Sequence, residues 1–178
     1  VAATGIGTRI TQLAFLPCIG IGAATSTLVG QYIGTKRVEE AVRHVRRALQ
    51  INFSVTGIIC LLIAVFSDWL MGFFTEIDSV VNTGTVFLRV FAASFIFGST
   101  GIVLTRVFQG AGDTVWPALT IGVRLAGFVI VGYGLGWLTR LDELGIWLAY
   151  AAAAFIQLLV LSWIYRKGTW QRRKLRSV

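Results

Sequence analysis

The segment "TKRVEEAVRHVRRALQINFSVTGIICLLIAVFSDWL", residues 35–70, changes character part-way along. In its first half Val38, Ala41, Val42, Val45, Ala48 and Leu49 recur at helical spacing, while Lys36, Arg37, Arg43, Arg46 and Arg47 take most of the other positions. The second half, residues 51–70, carries one charged side chain, Asp68, near its far end. About 20 apolar residues is the length of helix that crosses a bilayer's hydrocarbon. Basic and amphipathic first, then apolar, is the pattern of a chain that leaves a lipid headgroup region and enters the bilayer.

The rest of the chain repeats that theme. Its 178 residues are 56% hydrophobic and only 13% charged, with a mean hydropathy of +0.77, against about 25% charge in a soluble domain. Apolar stretches at about 4–34, 84–105, 115–138 and 144–165 join residues 51–70 as membrane crossings, the first of them long enough to tilt or bend at Pro17. Alternation with a period of two is absent, which excludes a transmembrane barrel and leaves helices. The fold class is therefore all-α, a polytopic membrane helix bundle. Residues 35–50 are expected as a cytoplasmic amphipathic helix in the headgroup plane, with Glu39 and Arg43 paired across one turn, and residues 166–178 as a basic tail.

Charge orients the bundle. Most of the 16 Lys and Arg fall in the 35–50 linker, at Arg106 beside the 106–115 turn, or from Arg166 onward. Short loops on the other side carry Arg9 and Arg140 among Asp68, Glu76, Asp78, Asp142 and Glu143. The positive-inside rule places the basic side in the cytoplasm, the amino-terminal end outside and the tail inside, in an inner (plasma) membrane. The net charge of +8 is then a matter of topology, with anionic lipid rather than nucleic acid as its partner. Val1 opens directly on apolar sequence with no basic n-region or cleavage signal, so the chain reads as a piece of a longer polypeptide.

Few residues offer chemistry. Cys18 and Cys60 lie inside apolar runs and read as small hydrophobes, and His44 is the only histidine, so no metal, cofactor or enzyme activity is expected. The hairpin "TRVFQGAGDTVWPALT", residues 105–120, lacks the lysine of a phosphate-binding loop and the strand of a dinucleotide turn. It reads as a connection in which Gly110 and Gly112 permit unusual dihedrals, Asp113 or Thr114 caps the next helix, and Pro117 sits in that helix's first turn. Gly22, Ser26, Gly30 and Gly34 form a stripe of small residues suited to close helix packing, with Ala151–Ala154 as a candidate facing surface. Arg124 falls near the midplane of its crossing, at a depth where no carboxylate of the chain is found. Either carbonyls or Gln157 satisfy it structurally, or it lines a transport cavity with Gln157 and Gln12 as weaker candidates. Arg89 is close enough to its helix end to snorkel.

Two stretches carry a family resemblance. "FLPCIGIGAATSTLVGQYIGTKRVEEAVRHVRRAL", residues 15–49, has Ala24, Thr27, Leu28, Val29, Gly30 and Gln31 followed by a glycine and a basic linker. "LTRVFQGAGDTVWPAL", residues 104–119, has Gly110, Gly112, Asp113, Thr114 and Pro117 after Arg106. In this order the chain resembles the carboxy-terminal part of a multidrug and toxic compound extrusion (MATE) transporter. The resemblance implies two six-helix lobes related by a pseudo-twofold axis, alternating access, and export of drugs or organic cations in exchange for sodium ions or protons. The five crossings would be helices eight to twelve, with the amino-terminal lobe and the preceding helix as missing partners and a small molecule as substrate. Coupling in that family uses membrane-embedded carboxylates. The acids here map to loops and helix ends, so sodium or proton coupling is expected only in the complete transporter. Two other functions stay open: a lipid or lipid-linked saccharide flippase, favoured by a row of cationic side chains on a lateral cavity, and a small scaffold or channel subunit that oligomerises through the Gly22–Gly34 stripe.

Overall fold

The structure, a computed structural model, describes residues 2–138 and 142–172. The chain runs through α1 (Ala2–Gly34), α2 (Val38–Val65), the short α3 (Ser67–Gly72), α4 (Asp78–Gly110), α5 (Val115–Leu138), α6 (Asp142–Arg166) and the single-turn α7 (Thr169–Arg172). Five of these are long and apolar enough to cross a membrane, so the molecule is an all-α polytopic membrane bundle. The calls on Arg140 and on the basic tail beyond Arg172 lie outside the described residues.

The helix α4 is the axis of the bundle. At 33 residues it is longer than the hydrocarbon is thick, since about 1.5 Å per residue makes it roughly 50 Å long. It packs against α1, α2, α3 and α6, whereas α5 rests mainly on α6. Its start lies well before the expected 84, because polar Asp78, Asn82 and Thr83 depress local hydropathy without breaking a helix. Asp78 in the first turn also suits the helix dipole.

The largest correction concerns residues 35–50. They are not a separate helix lying in the headgroup plane. Val38 begins α2, which continues without a break to Val65. The stripe read as lipid-facing is spent on protein: Ala41 and Val45 are fully buried among Val29, Ile33, Val107, Phe108, Ala111, Ile164 and Trp170, while Arg43, Arg46 and Arg47 remain exposed. The ion pair at this helix start is Arg37–Glu40, bidentate at 2.6 and 2.7 Å, in place of Glu39–Arg43. The turn before it is a Schellman motif: Lys36 takes φ 62, and Arg37 N–H donates to the Tyr32 carbonyl at 2.8 Å. The same cluster gathers the starts of α2 and α7 and the ends of α4 and α6, so the basic linker, the 111–114 turn and Arg166 share one end of the bundle. The second crossing is also shorter than 51–70 at its far end, where α2 stops at Val65 and Ser67 opens α3.

A second correction concerns the small-residue stripe. It faces α4, not Ala151–Ala154. A Cβ at Gly110 would overlap the Ser26 carbonyl, one at Gly30 would lie 3.2 Å from the Gly110 carbonyl oxygen, and one at Gly22 would lie 2.9 Å from Arg106 Cγ. Gly34 lies beyond the contact, with open space where a Cβ would be. The alanines of α6 instead meet α5, where Ala153 faces Gly127 and Ala149 faces Gly132. A periodic stripe identifies a close-packing face but not its partner.

A buried polar step crosses the α1–α2–α4 seam. Asn52 Nδ2 donates to Ser99 Oγ at 3.2 Å, and Thr56 Oγ1 meets Cys18 Sγ at 3.5 Å. Asn52 is fully buried and its Oδ1 has no partner among the described residues. Ser99 also donates to the Ile96 carbonyl at 3.0 Å, so it stays satisfied without Asn52. Asn52→Leu is therefore expected to be neutral or stabilising, because an orphaned buried acceptor costs about 1–3 kcal/mol and a net hydrogen bond contributes only about 1. Thermal unfolding of the full-length polypeptide in detergent checks this, and a marked drop in the midpoint contradicts it.

Candidate substrate cavity

The helices α1 and α6 both lean on α4 and barely meet each other. The wedge between them is a cavity of about 400 Å³, within the range of about 300–1,000 Å³ common for small-molecule sites. Thr4, Thr8, Thr11, Gln12 and Phe15 form its α1 wall, at spacings that bring them to one helical face. Phe87, Phe91 and Ser94 of α4 form the floor. Trp147 and Tyr150 of α6, with Phe128 of α5, close the other side.

The aromatic floor is ordered by ring packing. Phe91 stacks on Phe95 at 4.8 Å and 24°, Phe15 meets Phe95 edge-on at 4.7 Å, and Phe87 meets Trp147 edge-on at 5.3 Å. Such pairs hold one another in fixed rotamers and turn ring faces toward neighbouring rings. The hydroxyls opposite are local: Thr8 donates to the Gly5 carbonyl and Thr11 to that of Thr8, both at 2.9 Å. Gln12 is exposed and lines the cavity.

Arg124 stands at the inner end. It lines a crevice of about 20 Å³ that shares Phe15, Phe91, Ser94 and Tyr150 with the main cavity. Its Nη1 lies 3.5 Å from Gln157 Oε1, at the limit of a hydrogen bond, and its guanidinium sits 4.8 Å over the Tyr150 ring. Among the described residues the ion pairs are Arg37–Glu40 and Arg89–Asp68, so Arg124 faces an amide and a ring but no carboxylate. Gln157 is buried beside it and lies off the cavity lining. Arg89 belongs elsewhere: its Nη2 donates to Asp68 at 2.9 Å and its Nε to Ser67 at 3.2 Å.

The hairpin residues are structural in their geometry. Gly112 has φ 77, its N–H donates to the Gln109 carbonyl at 3.0 Å, and the Asp113 N–H donates to that of Phe108 at 2.8 Å, a second Schellman motif. Asp113 Oδ1 accepts the Val115 N–H at 3.2 Å and so caps α5. Thr114 is exposed, and Pro117 is buried within the first turn of α5. Arg106 Nη1 donates to Gln109 Oε1 at 3.1 Å, and Gln31 is exposed at the end of α1. The stripe and the hairpin thus meet through Gly110 and Arg106, and the cavity lies apart from both. The aromatic lining was not read from the sequence, where a cavity phenylalanine looks like a lipid-facing one. The spacing of Thr4, Thr8, Thr11 and Phe15 along one helical face is the signal that would have pointed to it.

A MatE family model matches residues 1–133. The chain belongs to the MatE family. Over 176 residues it is 24% identical to "Probable multidrug resistance protein YoeA" of Bacillus subtilis, covering 98% of this chain and 38% of that one. It is 28% identical over 165 residues to "Protein DETOXIFICATION 18" of Arabidopsis thaliana, covering 89% of this chain and 34% of the relative. A solved MATE transporter in an outward-facing conformation superposes with TM-score 0.86 at 22% identity, over 96% of this chain and 39% of that one. One in an inward-facing conformation superposes with TM-score 0.84, again at 22% identity, over 97% of this chain and 40% of its own. The MatE chain thus has the fold of one lobe and spans well under half the length of these relatives. Membership of this family is membership of a transporter class and not of an enzyme class.

Proposed function

We propose that this chain forms one lobe of a secondary antiporter that exports drugs or organic cations by alternating access, in exchange for sodium ions or protons. The observation that carries the reading is the cavity of about 400 Å³ lined by rings and hydroxyls between α1 and α6, in a chain of the MatE family. Alternating access needs two bundles that rock about a central site. The partners are therefore a second lobe and the helix that precedes this one, with a small molecule held between the lobes. The basic end of the bundle faces the cytoplasm of a cell with an inner (plasma) membrane and meets anionic lipid there, while the amino-terminal end lies outside. Coupling falls to the rest of the protein, since among the described residues no Asp or Glu lines either crevice.

The rival readings lose their footing on particular residues. A flippase would be favoured by a row of cations along the cavity, and Arg89 is turned away to Asp68. Oligomerisation through the Gly22–Gly34 stripe would need a face that Arg106 and Gly110 of the same chain already cover. The test is accessibility. In the full-length polypeptide, Gln12→Cys should react with a membrane-impermeant thiol reagent, and transported solute should slow that reaction.

A further inference from the structure

No Asp or Glu stands in the described lining of the cavity, and the one charged group of the adjoining crevice of about 20 Å³ is a cation, Arg124. Arg124 reaches the shared wall of Phe15, Phe91, Ser94 and Tyr150 from α5, with an amide oxygen at 3.5 Å and a ring below it. Neither partner neutralises its charge. In a medium of low dielectric a guanidinium at this depth acts over longer distances than in water. The aromatic rings could in principle welcome a cation. Here, however, Phe91 stacks on Phe95 and the face of Tyr150 is already taken by Arg124 itself. Neutral hydroxyls and the Gln12 amide serve any solute and decide nothing about charge.

We infer that this cavity selects solutes that join an aromatic body to an anionic group, the body against Phe15, Phe87 and Phe91 and the anion against Arg124. The inference rests on the reading of the wedge as a solute cavity and adds to it the charge of the solute. Among the drugs of the proposed antiporter, this lobe then holds amphiphilic anions or zwitterions, and recognition of organic cations falls to groups outside these residues.

The experiment uses the full-length polypeptide in nanodiscs of zwitterionic phosphatidylcholine, with empty nanodiscs as the blank. Two dyes share one three-ring frame and differ in charge: fluorescein, an anion, and rhodamine 123, a cation. Fluorescence anisotropy should show fluorescein binding at least about tenfold tighter than rhodamine 123, and Arg124→Gln should remove about that factor for fluorescein alone. Arg124→Lys keeps the charge and should keep the preference, which separates electrostatics from misfolding. Gln12→Trp leaves the basic end of the bundle intact and should abolish fluorescein binding. Persistence of binding in Gln12→Trp would place the dye on the basic surface and overturn the inference. Tighter binding of rhodamine 123, with Arg124→Gln indifferent, would overturn it while leaving the solute cavity in place. Absence of binding by either dye would overturn it too, and the Gln12→Cys accessibility then decides separately whether the wedge is a solute cavity.

Discussion

Gly110→Leu is expected to remove the folded protein. The Cβ alone, before the rest of the side chain is added, would overlap the backbone carbonyl of Ser26. A side chain in the way can change rotamer, but a carbonyl moves only with its helix, so α1 and α4 must separate along their shared length. Overpacking costs about 1–3 kcal/mol where side chains adjust, and Gly110→Ala belongs at the upper end of that range. In hydrocarbon the loss is felt directly, because close packing is the main source of helix association there. The stripe supplies its own controls. At Gly30 the obstacle is again backbone, at 3.2 Å, whereas at Gly22 it is the flexible Arg106 side chain and at Gly34 there is open space. Unfolding midpoints of the four alanine variants should therefore fall in the order Gly34, Gly22, Gly30, Gly110, with Gly34→Ala unchanged or slightly raised. Equal effects at all four would mean that the stripe matters for some reason other than the α1–α4 contact.

Gln12→Trp should stop transport without unfolding the chain. Gln12 is exposed and faces the cavity from α1, so a larger side chain there meets space rather than core. An indole brings about 150–250 Å² of rigid apolar surface into the opening between Thr8 and Phe15. Solute flux through the full-length polypeptide in proteoliposomes should fall at least about tenfold, as expected when a positioned solute is displaced from its site, while the unfolding midpoint stays within a few degrees of the parent. Retained flux with a Trp at 12 would show that solute passes elsewhere.

How much of this was readable beforehand depends on which physical quantity each residue reports. The five crossings were legible because hydropathy over some 20 residues is what a bilayer selects. Their ends were not, because Asp78 to Thr83 are polar enough to lower the average yet continue α4 outward. The stripe Val38–Leu49 was read as a helical face, and it is one. Periodicity says that a face is apolar and leaves open whether lipid or Val107 and Phe108 cover it. Gly112 and Asp113 were legible from turn chemistry alone, and Gly112 does adopt a positive φ. Lys36 adopts one as well, and its sequence carries no such sign, since glycine is the usual residue there. Arg124 and Gln157 were named together as candidates, and the structure sets them 3.5 Å apart. The rings around them were missed. Phe15, Phe87 and Phe91 come from two helices that only tertiary packing brings together.

Thiol labelling of Gln12→Cys in the full-length polypeptide tests the central claim, that the wedge between α1 and α6 is the solute path. Cys18 and Cys60 are buried and contribute little background. The account predicts rapid reaction with an impermeant methanethiosulfonate and clear slowing by saturating solute. A thiol at 12 that reacts at the same rate with and without solute, in a variant that still transports, would contradict it.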